Sequence, residues 1–135
     1  MVCRVRIRLR VDDKVFEGRA LLNSGFESDT PDIVIPVNVA RDLGLWPPKT
    51  NVIAMLDTGG GEVVSPYYQS SADLELILED RASKTVKVSI IVNPHVDEVV
   101  LSDYVVSLLN IILLDFKKGF WRLSDDPPDR VREPA

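Results

Sequence analysis

The chain has 135 residues, the usual size of a single domain and enough to bury a hydrophobic core. Its 45% hydrophobic and 27% charged residues are ordinary for a globular protein, and the formal net charge of −5 argues against nucleic acid or a membrane as partner. One cysteine, Cys3, excludes an intramolecular disulfide. Because neither a signal sequence nor a membrane-spanning apolar run is recognisable, we expect a cytoplasmic protein.

The first part of the chain predicts a β-hairpin. In Cys3–Val11, apolar residues alternate with four arginines, the pattern of a strand with one buried face. Val15–Leu22 is predicted as a second strand, and the short turn Val11–Lys14 joins the two. The arginines form either a solvated face whose like charges discourage edge pairing or a basic stripe for an acidic partner. We favour the solvated face.

The middle of the chain predicts a strand, a helix and a second hairpin. A loop rich in Ser, Asp, Gly and Pro leads to the strand Ile33–Pro36 and the helix Val37–Leu45, with Gly44 as its C-cap. Extended segments at 51–56 and 62–69 flank a run of three glycines. Since glycine tolerates the positive φ of tight turns, this run predicts a hairpin.

The remaining segments predict further strands and one more helix. They are the antiparallel pair Ser71–Asp80 and Lys84–Asn93, the short strand Glu98–Leu101, the helix Asp103–Asn110 capped by Ser102, and a final hairpin over 111–123. We therefore expect one mostly-β domain over residues 1–123, a closed or semi-open barrel with two short helices. Residues 124–135 form a polar, Pro-rich tail that we expect to be mobile.

Few residues of the chain are suited to catalysis. His95 is the single histidine, so neither a Ser-His-Asp triad nor a His-rich metal site can be assembled, and Cys3 has no histidine near it in sequence. The glycine run lacks the lysine of a phosphate loop and precedes a strand. Carboxylates remain, and peptide hydrolysis by carboxylates needs two of them sharing one proton in a cleft. We predict no metal and no cofactor.

Two stretches are candidates for a catalytic loop. Asp57, Thr58 and Gly59 spell the tripeptide of aspartic peptidases, but the glycines after them predict a hairpin, so Asp57 is expected to be a solvated turn residue. The stronger context is Ala20–Leu22, an apolar run that leads directly into Asn23, Ser24 and Gly25. A buried strand that ends in a sharp turn is where a dyad carboxylate is expected.

This arrangement resembles the retropepsin-like aspartic peptidases, especially their compact archaeal members. The resemblance spans residues 15–123 and is carried, in order, by "ALLNSG", "IVIP", "VARDLGL", "MLDTGGGEVV" and "EVVLSDYVVSLLNIILLDFKKGFWRL". It implies an acid-protease barrel with a β-hairpin flap at 55–64 over the cleft. It also implies a C2 homodimer, since each chain has one active-site loop, and a peptide or protein substrate bound in extended form under the flap.

The resemblance places Asn23 where the family has its catalytic aspartate, and Ser102 where it has a glycine. Ser24 would hold the loop and Gly25 would allow the two backbones to approach. Asp29 and Asp32 are expected either to border the substrate or to be solvated in the loop. The flap residues are Asp57, Thr58, Gly59, Gly60 and Gly61.

Asn23 decides the predicted chemistry. An amide cannot take a proton from the attacking water, so the chain as written is expected to be a very poor peptidase. Either the chain belongs to a peptidase lineage whose dyad has been removed, naturally or by engineering, or it is a natural non-catalytic relative that binds peptides or only dimerises. We favour the first, because the loop and flap motifs are otherwise intact. The prediction is an aspartic peptidase-type protein that is inactive with asparagine at position 23.

Overall fold

The computed structural model describes residues 3–23, 25–57 and 62–135. Its elements in chain order are β1 (Cys3–Val11), β2 (Lys14–Leu22), β3 (Asp32–Ile35), α1 (Val37–Asp42), β4 (Ile53–Asp57), β5 (Glu62–Leu76), β6 (Val86–Val92), β7 (Val99–Leu101), α2 (Asp103–Leu108), β8 (Ile111–Asp115) and β9 (Phe120–Leu123). Within these residues, neither helix is long and apolar enough to cross a membrane.

Six strands close into a barrel. Their order is β1-β2-β7-β3-β6-β5, and β5 pairs back with β1 over Ile7–Arg10. Strand β4 pairs with the first residues of β5 and extends the sheet as a hairpin, while β8 and β9 form a separate two-stranded sheet. The prediction of a mostly-β barrel with two short helices is confirmed.

Strand β1 shows how the sequence pattern becomes a barrel wall. Its apolar residues are buried in the core and its arginines lie on the outer face, as the alternation predicts. The expectation that these arginines discourage edge pairing is wrong, because β1 is paired on both sides, with β2 and β5. Arg4 pairs with Glu98 at 3.1 Å, and Arg8 with both Glu75 at 2.7 Å and Glu17.

Strand β5 is one strand where the sequence predicts two. Its first residues pair with β4, its middle with β6 and its end with β1. The register shifts between Tyr68 and Ala72, and Ser70 within that shift has a positive φ of 45°. Such an irregularity bends a strand without ending it. One continuous strand therefore connects the hairpin to the barrel.

Helix α1 is shorter than predicted. It ends at Asp42 with Leu43 as its C-cap, and Gly44 follows with a φ of 74°, a left-handed conformation that favours glycine. The helix therefore stops near the predicted glycine. Its C-cap is Leu43, and Gly44 lies one position after the cap.

Residues 124–135 are packed against the domain, whereas the sequence predicts a mobile tail. Arg132 is only 8% exposed, and its backbone exchanges two hydrogen bonds with that of Trp121 at 2.7 and 3.0 Å. The backbone N–H of Ala135 donates to the Arg4 carbonyl at 2.9 Å. Ion pairs from Arg132 to Asp80 and Asp126 hold the segment in place.

Candidate functional site

The loop that the sequence singles out begins where β2 ends. Asn23 is exposed and follows Leu22, whose side chain is buried in the core. The Asn23 side-chain oxygen accepts a hydrogen bond from the Gly25 N–H at 2.9 Å, and its carbonyl accepts one from the Phe26 N–H at 3.1 Å. This is an Asx turn, which the asparagine side chain stabilises directly. Ser24 lies outside the described residues.

Gly25 fits closely against the turn. A Cβ atom built at this position would lie 3.2 Å from the Asn23 side-chain oxygen, tighter than an ordinary van der Waals contact. A larger residue would therefore push against the atom that closes the turn. Such a residue fits only if the Asn23 oxygen shifts by a few tenths of an ångström, so glycine suits this position whether or not a second backbone approaches it.

The first turn of α2 holds the loop from the other side. The Asp103 N–H donates to the Phe26 carbonyl at 2.9 Å, and the Ser28 N–H donates to the Asp103 carboxylate at 3.0 Å. Ser102 is fully buried, and its hydroxyl accepts from the Val105 N–H at 3.4 Å, which confirms it as the N-cap. Ser102 thus has a structural role here, as the N-cap of α2.

Two open pockets adjoin this loop. The first, of about 240 Å³, is lined by Leu22, Asn23, Asp103, Val106, Ser107, Ile111 and Leu113. The second, of about 400 Å³, is lined by Ser28, Asp103, Tyr104, Ser107 and Leu108. Asp103 is the carboxylate common to both linings, and one of its oxygens already accepts from the N–H groups of Ser28 and Tyr104. Asp103 therefore satisfies backbone N–H groups at the start of α2, which favours a helix-end role over an acid-base role.

The far end of the loop contains a buried carboxylate. Asp32 is 8% exposed and accepts hydrogen bonds from the hydroxyls of Ser28 at 2.6 Å, Thr30 at 2.7 Å and Tyr67 at 3.1 Å. The expectation that Asp32 is solvated is therefore wrong, whereas Asp29 is exposed. The contact with Tyr67 could not be predicted from local sequence patterns, because 35 residues separate it from Asp32.

The predicted second hairpin is present. Ile53–Asp57 pairs with Glu62–Pro66, and Asp57 lies opposite Glu62 in the backbone register. Cross-strand neighbours share a face, so one face carries the exposed Ile53, Met55 and Val64. Thr58, Gly59, Gly60 and Gly61 lie outside the described residues, so the prediction that they contact a substrate stays a prediction, as it does for Asp57.

Neither Asn23 nor Cys3 is suited to catalysis by proton transfer or nucleophilic attack. The Asn23 amide can donate and accept hydrogen bonds but is neither an acid nor a base near neutral pH. Burial raises the pKa of the Cys3 thiol to about 11, so this cysteine is not a thiolate nucleophile. Within the described residues, no group of three His, Cys, Asp or Glu side chains is placed to hold a metal ion.

No protein-family model matches the chain, and no curated protein matches it significantly. The resemblance to the retropepsin-like peptidases therefore rests on the sequence motifs, with the mostly-β barrel as a compatible fold.

Proposed function

We propose that the protein is a retropepsin-like, peptide-binding homodimer of the aspartic-peptidase lineage, inactive in hydrolysis because Asn23 replaces the catalytic aspartate. The observation that carries the proposal is the Asn23 turn. It follows the end of β2, where Ala20 and Leu22 are buried, is held by the first turn of α2, and leads through Asp32 to the base of a hairpin. A loop that follows a strand and lies near a hairpin supports the proposal, because the sequence resemblance implies an active-site loop and a flap.

The amide at position 23 preserves the hydrogen bond that shapes the loop but cannot act as the base in peptide hydrolysis. Its oxygen accepts the Gly25 hydrogen bond as an aspartate oxygen would, so the turn keeps its shape. A dyad needs a carboxylate that takes a proton from water and shares another proton with its twin. Because only the –NH₂ group differs from a carboxylate oxygen, a single substitution tests the assignment.

Changing Asn23→Asp is expected to produce acid-favoured peptide cleavage. A carboxylate base contributes about 10²-fold or more to such rates, so the variant should cleave casein at least that much faster than the original chain. The assay is cleavage of casein from pH 3 to pH 7, with Asn23→Ala as the matched control that has neither amide nor acid. No cleavage by Asn23→Asp at any of these pH values would contradict the peptidase lineage.

A homodimer is the second part of the proposal. Each chain supplies one Asn23 turn, and two amides facing each other across a two-fold axis can each donate and accept a hydrogen bond. Large apolar side chains are exposed on and beside α2 and β8, the elements that line the Asn23 pocket. They are Tyr104, Leu114 and Phe116.

Light scattering is expected to give twice the 15.1 kDa mass of one chain. Phe116→Asp should shift the protein towards monomer, because Phe116 is 60% exposed and a charge at an apolar interface is costly. Val131→Asp is the matched control, since Val131 is 52% exposed but lies in the C-terminal segment. A monomeric original chain, or equal effects of both variants, would contradict this interface.

The second candidate function is that of a natural peptide-binding module that does not catalyse hydrolysis. The Asx turn favours it, because asparagine is well suited to the turn that it forms here. Strand β4 ends the sheet order, so its outer edge can pair with an extended peptide. This candidate predicts that binding to an array of unstructured peptides is the same for the original chain and for Asn23→Asp. A change in the set of bound peptides would contradict it.

A further inference from the structure

The two carboxylate oxygens of Asp32 bind two different parts of the molecule. Oδ2 accepts from Ser28 at 2.6 Å and Thr30 at 2.7 Å, both in the loop that begins at Asn23. Oδ1 accepts from the hydroxyl of Tyr67 at 3.1 Å, and Tyr67 belongs to β5. One buried side chain therefore connects the loop to the strand that forms the second half of the hairpin.

Tyr67 lies at the junction between hairpin and barrel. Its N–H donates to the Val52 carbonyl at 2.9 Å, which continues the hairpin ladder, and its Cα pairs with that of Ile91 in the barrel. The Thr50 hydroxyl donates to the Tyr67 carbonyl at 3.1 Å. A shift of Tyr67 would therefore move the base of the hairpin relative to the barrel.

The face of the hairpin that carries Tyr67 is the less exposed one. Side chains alternate along a strand, so Tyr67 shares its face with Ser65 and Val63, which are fully and partly buried. The other face carries Met55 and Val64, which are more than half exposed. The Tyr67 hydroxyl thus binds the loop from the inward face of the hairpin.

We propose that Tyr67 and Asp32 form a joint that sets the position of the β4–β5 hairpin over the Asn23 loop. Tyr67 is then a positioning residue for a peptide held between hairpin and loop, and this role rests on the proposed function. The joint consists of one hydrogen bond between a neutral hydroxyl and a carboxylate. Losing it removes this link between hairpin and loop without removing any apolar contact.

Tyr68 provides a matched control. It is also a partly buried tyrosine of β5, but it lies on the opposite face. Its hydroxyl donates to the Leu45 carbonyl at 2.8 Å and accepts from the Lys49 N–H at 2.9 Å. It holds the segment after α1 and has no hydrogen bond to the described residues of the Asn23 loop. Tyr67→Phe and Tyr68→Phe each delete one hydroxyl from neighbouring positions.

Hydrogen–deuterium exchange of the two variants tests the joint on the chain as it exists. Tyr67→Phe is expected to speed exchange about fivefold in residues 53–57, 62–66 and 25–32, the factor that corresponds to one net hydrogen bond of about 1 kcal/mol. Exchange in β1 should stay unchanged. Tyr68→Phe should speed exchange in residues 43–49 and leave the hairpin as it was. Unchanged hairpin exchange in Tyr67→Phe, or the same uniform acceleration in both variants, would overturn the joint.

The peptide-positioning role is tested separately in the Asn23→Asp background. Adding Tyr67→Phe should raise KM for casein about fivefold with a smaller change in kcat, whereas adding Tyr68→Phe should change neither. An unchanged KM overturns the positioning role. If Asn23→Asp cleaves nothing, the proposed function fails and takes the positioning role with it, while the exchange comparison still decides whether the joint exists.

Discussion

Two carboxylates of this protein are buried to a similar extent and have different kinds of hydrogen-bond partner. Asp32 is 8% exposed and accepts hydrogen bonds from three neutral hydroxyls. Asp126 is 9% exposed and pairs with the guanidinium groups of Arg132 and Arg81. Both sets of hydrogen bonds are charge-assisted, because the acceptor is a carboxylate in each, but only Asp126 also has cations beside it. The Asp126 side of the molecule is therefore held by ion pairs, and the Asp32 side by hydrogen bonds from hydroxyls.

The ionic cluster is built around Arg132. Its guanidinium donates to both oxygens of Asp126 at 2.9 and 3.1 Å, and to both oxygens of Asp80 at 2.8 and 3.0 Å. The same group lies 5.6 Å from the centre of the Trp121 ring. Arg132 thus joins the C-terminal segment to β9 and to the turn after β5. We call this set, Asp80, Asp126 and Arg132, the tail cluster.

The largest expected effect comes from breaking the tail cluster. Arg132→Ala leaves the Asp126 carboxylate buried without its main cation, and removing one partner of a buried pair is expected to lower the free energy of unfolding by about 3 kcal/mol. Urea unfolding of both proteins at pH 7 measures this difference in the free energy of unfolding. The control is Arg130→Ala, because Arg130 is 40% exposed and 3.6 Å from Asp80, and it should cost less than about 1 kcal/mol. Equal losses in the two variants would show that the cluster carries no special stability.

Acid provides a second test of the tail cluster. Hydrogen bonds from Arg132 lower the pKa of Asp80 and of Asp126 from the ordinary 3.8 to about 2. A carboxyl group whose pKa is lowered by folding stabilises the folded state above its unfolded pKa, and this stability is lost as the pH falls through the folded pKa. The free energy of unfolding should therefore fall between about pH 4 and pH 2.

Arg132→Ala tests the assignment of this acid sensitivity. Without the guanidinium the two pKa values return towards 3.8, so the variant should lose less stability than the original chain over the same pH range. Urea unfolding at several pH values between 5 and 2 provides the comparison. Parallel pH profiles for the two proteins would assign the acid sensitivity to carboxylates outside the tail cluster.

Local patterns in the sequence predict local structure, but they do not predict contacts between residues that are distant in the sequence. The alternation in Cys3–Val11 and the glycine run before Glu62 predict a strand and a hairpin because each depends on neighbouring residues. The same reasoning predicts a mobile tail, since 124–135 is polar and rich in proline. Arg132 is paired with Asp80, 52 residues away, and no local pattern contains that information.

The candidate site divides in the same way. The position of Asn23 in a turn at the end of β2 could be predicted, because an apolar run followed by a turn is a local signal. The joint between Asp32 and Tyr67 could not, because it depends on how β5 crosses from the hairpin to the barrel. The interpretation of Asp32 as a loop residue fails for this reason. Asp32 follows Pro31 at the end of a segment rich in Ser, Asp and Pro, which predicts a loop, and only the fold shows that it is buried.

The smallest expected effect distinguishes two serines that are both fully buried. The Ser102 hydroxyl accepts a hydrogen bond as the N-cap of α2, whereas the Ser65 hydroxyl, on the hairpin face that carries Tyr67, has no hydrogen-bond partner in the part of the chain that the structure describes. Ser102→Ala should lower the free energy of unfolding by about 1 kcal/mol, because a cap is lost. Ser65→Ala should leave it unchanged or raise it by up to about 1 kcal/mol, because an unsatisfied buried hydroxyl is removed. Urea unfolding of both variants measures the difference in the free energy of unfolding. A loss in Ser65→Ala as large as in Ser102→Ala would show that the Ser65 hydroxyl is hydrogen-bonded as well as the Ser102 hydroxyl.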